Sequence, residues 1–134
     1  MKAITRLFRT ALLVGALIAA APAHAATPCT VDKEECLRAV ALGGGARGMV
    51  YSSYPLDARN DAITRALIVV HGAGRNADNY FRSSVAAAFL ADALDHTLVI
   101  SPRFAANDGK TCKDALAANE VNWTCAGNNA WRIG

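Results

Sequence analysis

The sequence predicts an α/β fold with a mostly parallel sheet, and three features carry that expectation. Ala66-Leu67-Ile68-Val69-Val70 is an unbroken apolar run rich in β-branched residues, the pattern of a strand buried on both faces. His71-Gly72-Ala73-Gly74 then marks a sharp exit, and residues 80–94, with Phe81, Val85, Phe89 and Leu90, read as a helix. Thr97-Leu98-Val99-Ile100-Ser101 is a second β-prone run closed by Pro102. Strand, turn, helix and strand in that order predict one right-handed βαβ unit over residues 66–101.

Taken from the start, residues 1–25 have the organisation of a secretory signal. Lys2, Arg6 and Arg9 form a basic region, residues 11–21 an apolar core, and Ala23-His24-Ala25 a small-x-small cleavage site. A membrane-spanning helix needs about 20 apolar residues, so this core predicts export and no stable membrane anchor. Pro28 before Cys29 argues against a lipid anchor there.

Residues 26–47 read as an amino-terminal segment followed by a glycine-rich linker. Within 29–42, Asp32 with Glu35 three positions later has the spacing of a capping box and predicts a short helix. Gly43-Gly44-Gly45-Ala46-Arg47-Gly48 satisfies Gly-x-Gly-x-x-Gly. A dinucleotide site needs a strand before that motif and a helix after it, whereas the sequence predicts the reverse, so no cofactor is expected. Residues 48–134 form the remaining unit. Met49-Val50-Tyr51 predicts a strand ended by Tyr54-Pro55-Leu56, and Asn60-Asp61 a turn. Asn76 and Asp78 offer caps for the helix. Beyond Ser101 periodicity fades, and Asn107-Asp108-Gly109 signals a turn within a loop-rich excursion. Loops at the carboxyl ends of parallel strands surround α/β active sites, which makes residues 102–134 a candidate cleft lining.

Charge excludes some function classes. Of the 14 basic and 11 acidic residues, three basic and no acidic ones precede residue 26, so the remainder is balanced. Bulk charge therefore gives no reason to expect nucleic acid, an anionic membrane or a polyanionic substrate. All four cysteines, Cys29, Cys36, Cys112 and Cys125, lie after the signal, where an oxidising compartment favours disulfides. Three pairings are possible; grouping in the chain suggests Cys29 with Cys36 and Cys112 with Cys125. Their spacing is not that of a zinc site, so no metal is expected.

The His71-Gly72-Ala73-Gly74 loop after its strand, with Arg75-Asn76-Ala77-Asp78-Asn79-Tyr80-Phe81, Ser101-Pro102-Arg103-Phe104, Asn119-Glu120-Val121-Asn122-Trp123 and Trp131-Arg132, resembles a group of secreted enzymes of the α/β-hydrolase superfamily. The resemblance covers roughly residues 48–134. It implies a partial α/β-hydrolase fold with early strands, oxyanion loop, first helix and following strand. In that superfamily a His-Gly-x-Gly loop supplies a backbone N–H to the oxyanion hole, and the third strand lies between the fourth and the fifth. Ala73 and Gly74 are then the expected N–H donors, His71 and Gly72 support the loop, and Arg75, Trp123 and Trp131 line the cleft. For Trp123 and Trp131, packing beneath a disulfide-tied loop is an equal alternative. His96 is expected as a surface or capping residue.

The superfamily's nucleophile sits on a Gly-x-Ser-x-Gly elbow, followed by an acid and a histidine. None of Ser52, Ser53, Ser83, Ser84 and Ser101 has glycines two positions before and after, and at Cys125 the first glycine is Trp123. The expectation is the amino-terminal part of an exported, periplasmic or extracellular bacterial ester hydrolase, inactive alone and lacking the carboxyl-terminal half of its domain. The competing expectation is a small disulfide-stapled binding module without catalysis.

Expressed in a bacterium with an intact secretion pathway, the chain should be recovered with Ala26 at its amino terminus and no alkylatable thiol. Intact mass after alkylation under denaturing conditions checks both.

Overall fold

The computed structural model describes residues 26–125. Its strands are β1 (Leu37–Gly43), β2 (Ala46–Ser52), β3 (Arg65–Ile68) and β4 (Thr97–Arg103), and its helix is α1 (Ala77–Leu90). Single 3-10 turns occupy Glu34–Cys36 and Leu94–His96. The sheet order is β1-β2-β4-β3, with β1–β2 and β2–β4 antiparallel and β3–β4 parallel. The expectation of a mostly parallel α/β-hydrolase sheet is thus corrected to a small mixed sheet with one parallel pair and one helix.

The cause lies in residues 37–52. The helix expected over 29–42 and the linker after it are instead a 3-10 turn and a β-hairpin, Leu37 opposite Tyr51 and Ala41 opposite Arg47. Gly43, Gly44 and Gly45 turn the chain with φ of 92°, 57° and 80°, a backbone region costly to residues with a Cβ. A local capping pattern is worth about 1 kcal/mol and is outweighed by a full antiparallel ladder. Gly-x-Gly-x-x-Gly is therefore a hairpin turn, with strands on both sides of it.

The βαβ unit is present, with Leu67 opposite Val99 and Ile68 opposite Ile100 in parallel register. Its helix starts at Ala77, earlier than the expected residue 80, and ends at Leu90. Asn76 occupies the N-cap position, but its side chain makes no capping hydrogen bond. Pro102 does not end β4, which continues to Arg103. The Ser53 N–H bonds to Val99 O, so strand alternation puts Val50 and Pro102 at a non-hydrogen-bonded pair, where proline's missing donor takes no bond from the β2–β4 ladder.

Burial reverses the expected roles of the two parallel strands. β3 is exposed along its whole length, with Leu67, Ile68 and the following Val70 at 40%, 63% and 45%. Strand β4 holds the buried Thr97, Val99 and Ser101 because β2 and β3 flank it and α1 packs chiefly on it. The core joins Phe81, Val85 and Ala88 of α1 to Val99, Leu94 and the Cys29–Cys36 disulfide. Tyr51 stacks on Phe81 with ring centroids 5.6 Å apart. Burying a phenylalanine of this kind contributes about 1.5 to 3 kcal/mol. The buried serines are structural: Ser53 Oγ accepts from Val99 N–H, and Ser101 Oγ donates to Ala77 O, pinning the first turn of α1 to β4.

Both expected local disulfides are present, Cys29–Cys36 and Cys112–Cys125. Loops of this length constrain the unfolded chain by ~2 to 3 kcal/mol each. Among the described residues no helix is long and apolar enough to cross a membrane. The signal segment and Trp131 lie outside the described residues.

Strand β3 pairs with β4 alone, so its other edge is open among the described residues. An apolar strand with an open edge templates association. Residues 26–134 should therefore elute from size-exclusion chromatography as oligomers, and Ile68→Lys should shift them toward monomer. Elution volume with light scattering measures both.

Candidate functional site

The loop between β3 and α1 is built on His71. Its ring is 2% exposed and bonded at both nitrogens. Nδ1–H donates to Gly72 O at 2.8 Å, and Nε2 accepts the Phe104 N–H at 3.1 Å. Those partners assign the proton to Nδ1, because a carbonyl only accepts and an N–H only donates. His71 therefore ties the loop to the end of β4, with no ring nitrogen left to act as a base.

Gly72 O also accepts the Arg75 N–H at 3.1 Å, which closes a tight turn over Gly72–Arg75. At the tip of that turn Ala73 and Gly74 are exposed, and neither N–H donates to an acceptor among the described residues. A Cβ on Gly74 would lie 3.2 Å from Asn76 Oδ1, tighter than ordinary contact, so a side chain there would push on the N-cap residue. Arg75 takes φ of 52° and leaves the turn toward the excursion, where its Nε donates to Asp114 Oδ2 at 2.6 Å.

The excursion after β4 forms the other wall. Asp108 Oδ1 gathers the N–H groups of Lys110, Thr111 and Cys112 at 2.8 to 2.9 Å. Those backbone donors, Lys110 and Cys112 foremost, hold its carboxyl below the ordinary range. The Asn122 side chain pairs with the Asn107 backbone through Oδ1 and Nδ2, so Asn122-Trp123-Thr124 lies in an ordered crossing. Arg47 fastens the far side: its N–H bonds to Asn119 O and its carbonyl accepts the Val121 N–H. Glu120, buried, accepts the Ala117 N–H and lies 3.7 Å from Arg103 Nε.

Between the two walls is a polar hollow of about 210 Å³, lined by Tyr51, Arg75, Asp78, Arg103 and Asp114. Burial, reinforced by Asp78, raises the Tyr51 hydroxyl above its ordinary value, so it stays protonated as a donor. Burial works against ionised Asp114, but the Arg75 hydrogen bond, the Ala106 N–H and the charges of Arg75 and Arg103 outweigh it and lower its carboxyl.

Of the expected site residues, His71, Gly72, Ala73, Gly74 and Arg75 come together in this loop. Trp123 joins them through rings: His71 meets Phe104 edge-on at 5.5 Å, and Phe104 meets Trp123 at 4.9 Å. Trp123 keeps 39% of its surface exposed while its backbone N–H bonds to Ala105 O. His96 stands apart, exposed, with Nδ1 bonded to Ala62 O at 3.0 Å. Ser83 and Ser84 face a groove that no histidine, aspartate or glutamate lines. Among the described residues no cluster of histidine, cysteine and carboxylate is suited to a metal ion. Sequence reasoning missed Tyr51, Arg103 and Asp114; Asp114 lies 39 positions from Arg75, and no local pattern links them.

Compared with family models, curated proteins and solved structures, the chain matches none of them.

His71→Ala removes one acceptor and one donor and strands the Phe104 N–H. It should lower stability by about 1 to 3 kcal/mol. Urea unfolding should show a lower midpoint with unchanged slope.

Proposed function

We propose that this chain is the amino-terminal part of an exported serine-type hydrolase and supplies its oxyanion loop. The observation that carries the reading is the pair of exposed N–H groups of Ala73 and Gly74, unbonded among the described residues, at a turn braced from behind by His71. A tetrahedral intermediate of acyl transfer places negative charge on one oxygen, and fixed backbone donors stabilise it by ~3 to 4 kcal/mol. Small residues at 73 and 74 leave room for the substrate carbonyl to approach. The mixed sheet lends this reading no support; the resemblance to α/β-hydrolases rests on the loop and its flanking motifs.

In this reading the substrate is an ester. A serine carried outside residues 1–134 attacks its carbonyl, the alcohol leaves, and water releases the acid. Ser52, Ser53 and Ser101 are buried, and their hydroxyls donate to the Tyr54, Thr97 and Ala77 carbonyls, so none of them is offered as the nucleophile. Trp123 and Arg75 flank the loop where acyl or alcohol groups would pass. The two disulfides support export to an oxidising compartment.

Protein captured from the source bacterium with an antibody against residues 26–125 should cleave p-nitrophenyl butyrate, and a serine-directed fluorophosphonate should abolish that cleavage. Purified residues 26–134 alone should give neither turnover nor a stoichiometric burst. Captured protein without inhibitor-sensitive cleavage would favour the disulfide-stapled binding module instead.

A further inference from the structure

Each peptide plane in the loop has a carbonyl on one side and an N–H on the other, since a trans peptide points them in opposite directions. Anchoring a carbonyl therefore aims the N–H that follows it. Gly72 O, anchored by His71 Nδ1–H and the Arg75 N–H, aims the Ala73 N–H. Ala73 O accepts from Arg75 Nη1 at 3.2 Å, and this aims the Gly74 N–H. Arg75 thus holds both planes, one through its backbone and one through its guanidinium.

Arg75 does so in a left-handed conformation that costs a non-glycine residue. The other non-glycine residues with positive φ among those described are Asp92 and Asn119, types that tolerate this region better than arginine does. Something outside the turn must hold Arg75 there. The contact in place is Asp114 Oδ2, 2.6 Å from Arg75 Nε, with both side chains about a quarter exposed. Asp114 is itself restrained: its Oδ2 accepts the Ala106 N–H, its own N–H bonds to Ala106 O, and its carbonyl accepts from Asn107 Nδ2. Two residues earlier, Cys112 is bonded to Cys125.

We propose that Asp114 is a positioning residue that aims the Ala73 and Gly74 donors by gripping Arg75, from a segment secured by the Cys112–Cys125 disulfide. The catalytic purpose of that aim rests on the hydrolase reading; the grip does not. Charged and titratable groups around Asp114 are Arg75 from the loop and Arg103 from β4, with Asp78 of α1 and Tyr51 of β2 across the hollow. The pH response of the grip is carried by the Asp114 carboxylate. Its carboxyl is lowered in the folded protein, so the grip is complete above the ordinary aspartate value and is lost as pH falls through the lowered one.

Hydrogen exchange resolved to single amides tests this on the exported chain, with the Arg75 N–H reporting the loop and the Val99 N–H reporting global stability. Asp114→Ala and Arg75→Met should each speed exchange at position 75 at least tenfold while leaving Val99 unchanged. Asp114→Asn should keep part of the protection. In the unsubstituted chain, Arg75 protection corrected for intrinsic exchange should fall below about pH 4, near the ordinary aspartate value, a step missing from Asp114→Asn. Unchanged exchange at position 75 in both Asp114→Ala and Arg75→Met, or parallel loss at positions 75 and 99 with no acid step in the unsubstituted chain, would overturn the proposal. A loosened loop in Asp114→Ala with no inhibitor-sensitive esterase in captured protein would leave the grip standing and remove the hydrolase reading.

Discussion

Strand β4 pairs with β2 on one edge and β3 on the other, and the rest of the structure depends on that double pairing. The antiparallel partner brings in the β1–β2 hairpin, and the parallel partner requires the α1 crossover. Because β4 is paired on both edges and lies under Phe81 and Val85, it is the strand that the core buries. Its two ends then place the chemistry. Thr97 follows the 3-10 turn after α1, while Arg103 and Phe104 emerge beside the loop that leaves β3.

The loop is organised by hydrogen bonds made behind it, not by contacts at its tip. His71 gives one ring nitrogen to Gly72 O and takes the Phe104 N–H with the other, so a single side chain couples the exits of both parallel strands. Both bonds are partly shielded, where leaving either partner unsatisfied costs more than making the bond contributes. The exposed N–H groups at Ala73 and Gly74 are the complement of that arrangement: the Gly72 and Ala73 carbonyls accept within the loop, and these two amides have no acceptor among the described residues.

From Phe104 to Cys125 the excursion has almost no regular structure, yet side chains bonding backbone define it. Asp108, Asn107, Asn122 and Asp114 each substitute for a missing ladder partner, and the Cys112–Cys125 disulfide closes the segment. Arg47 and Arg103 fasten it to β2 and β4 through Asn119, Ala115 and Glu120. A loop held in this way presents polar groups at defined positions without needing a large core of its own.

The sequence by itself determined the local events whose cause is local. The β3–α1–β4 order, the His71–Arg75 turn and the Asn60 turn follow from short stretches of neighbouring residues, whereas the grouping of the cysteines only suggested the pairing that the fold adopts. Tertiary structure decided which apolar strand is buried, because Ala66-Leu67-Ile68-Val69-Val70 is more apolar than Thr97-Leu98-Val99-Ile100-Ser101 and yet lies at the edge. Position in a sheet depends on partners, not on composition. It also decided that residues 37–52 are a hairpin, since ladder pairing overrides a capping signal, and that Arg75 meets Asp114. That ion pair joins two loops on separate strand exits, and only the packing of β2, β4 and α1 sets the distance between them.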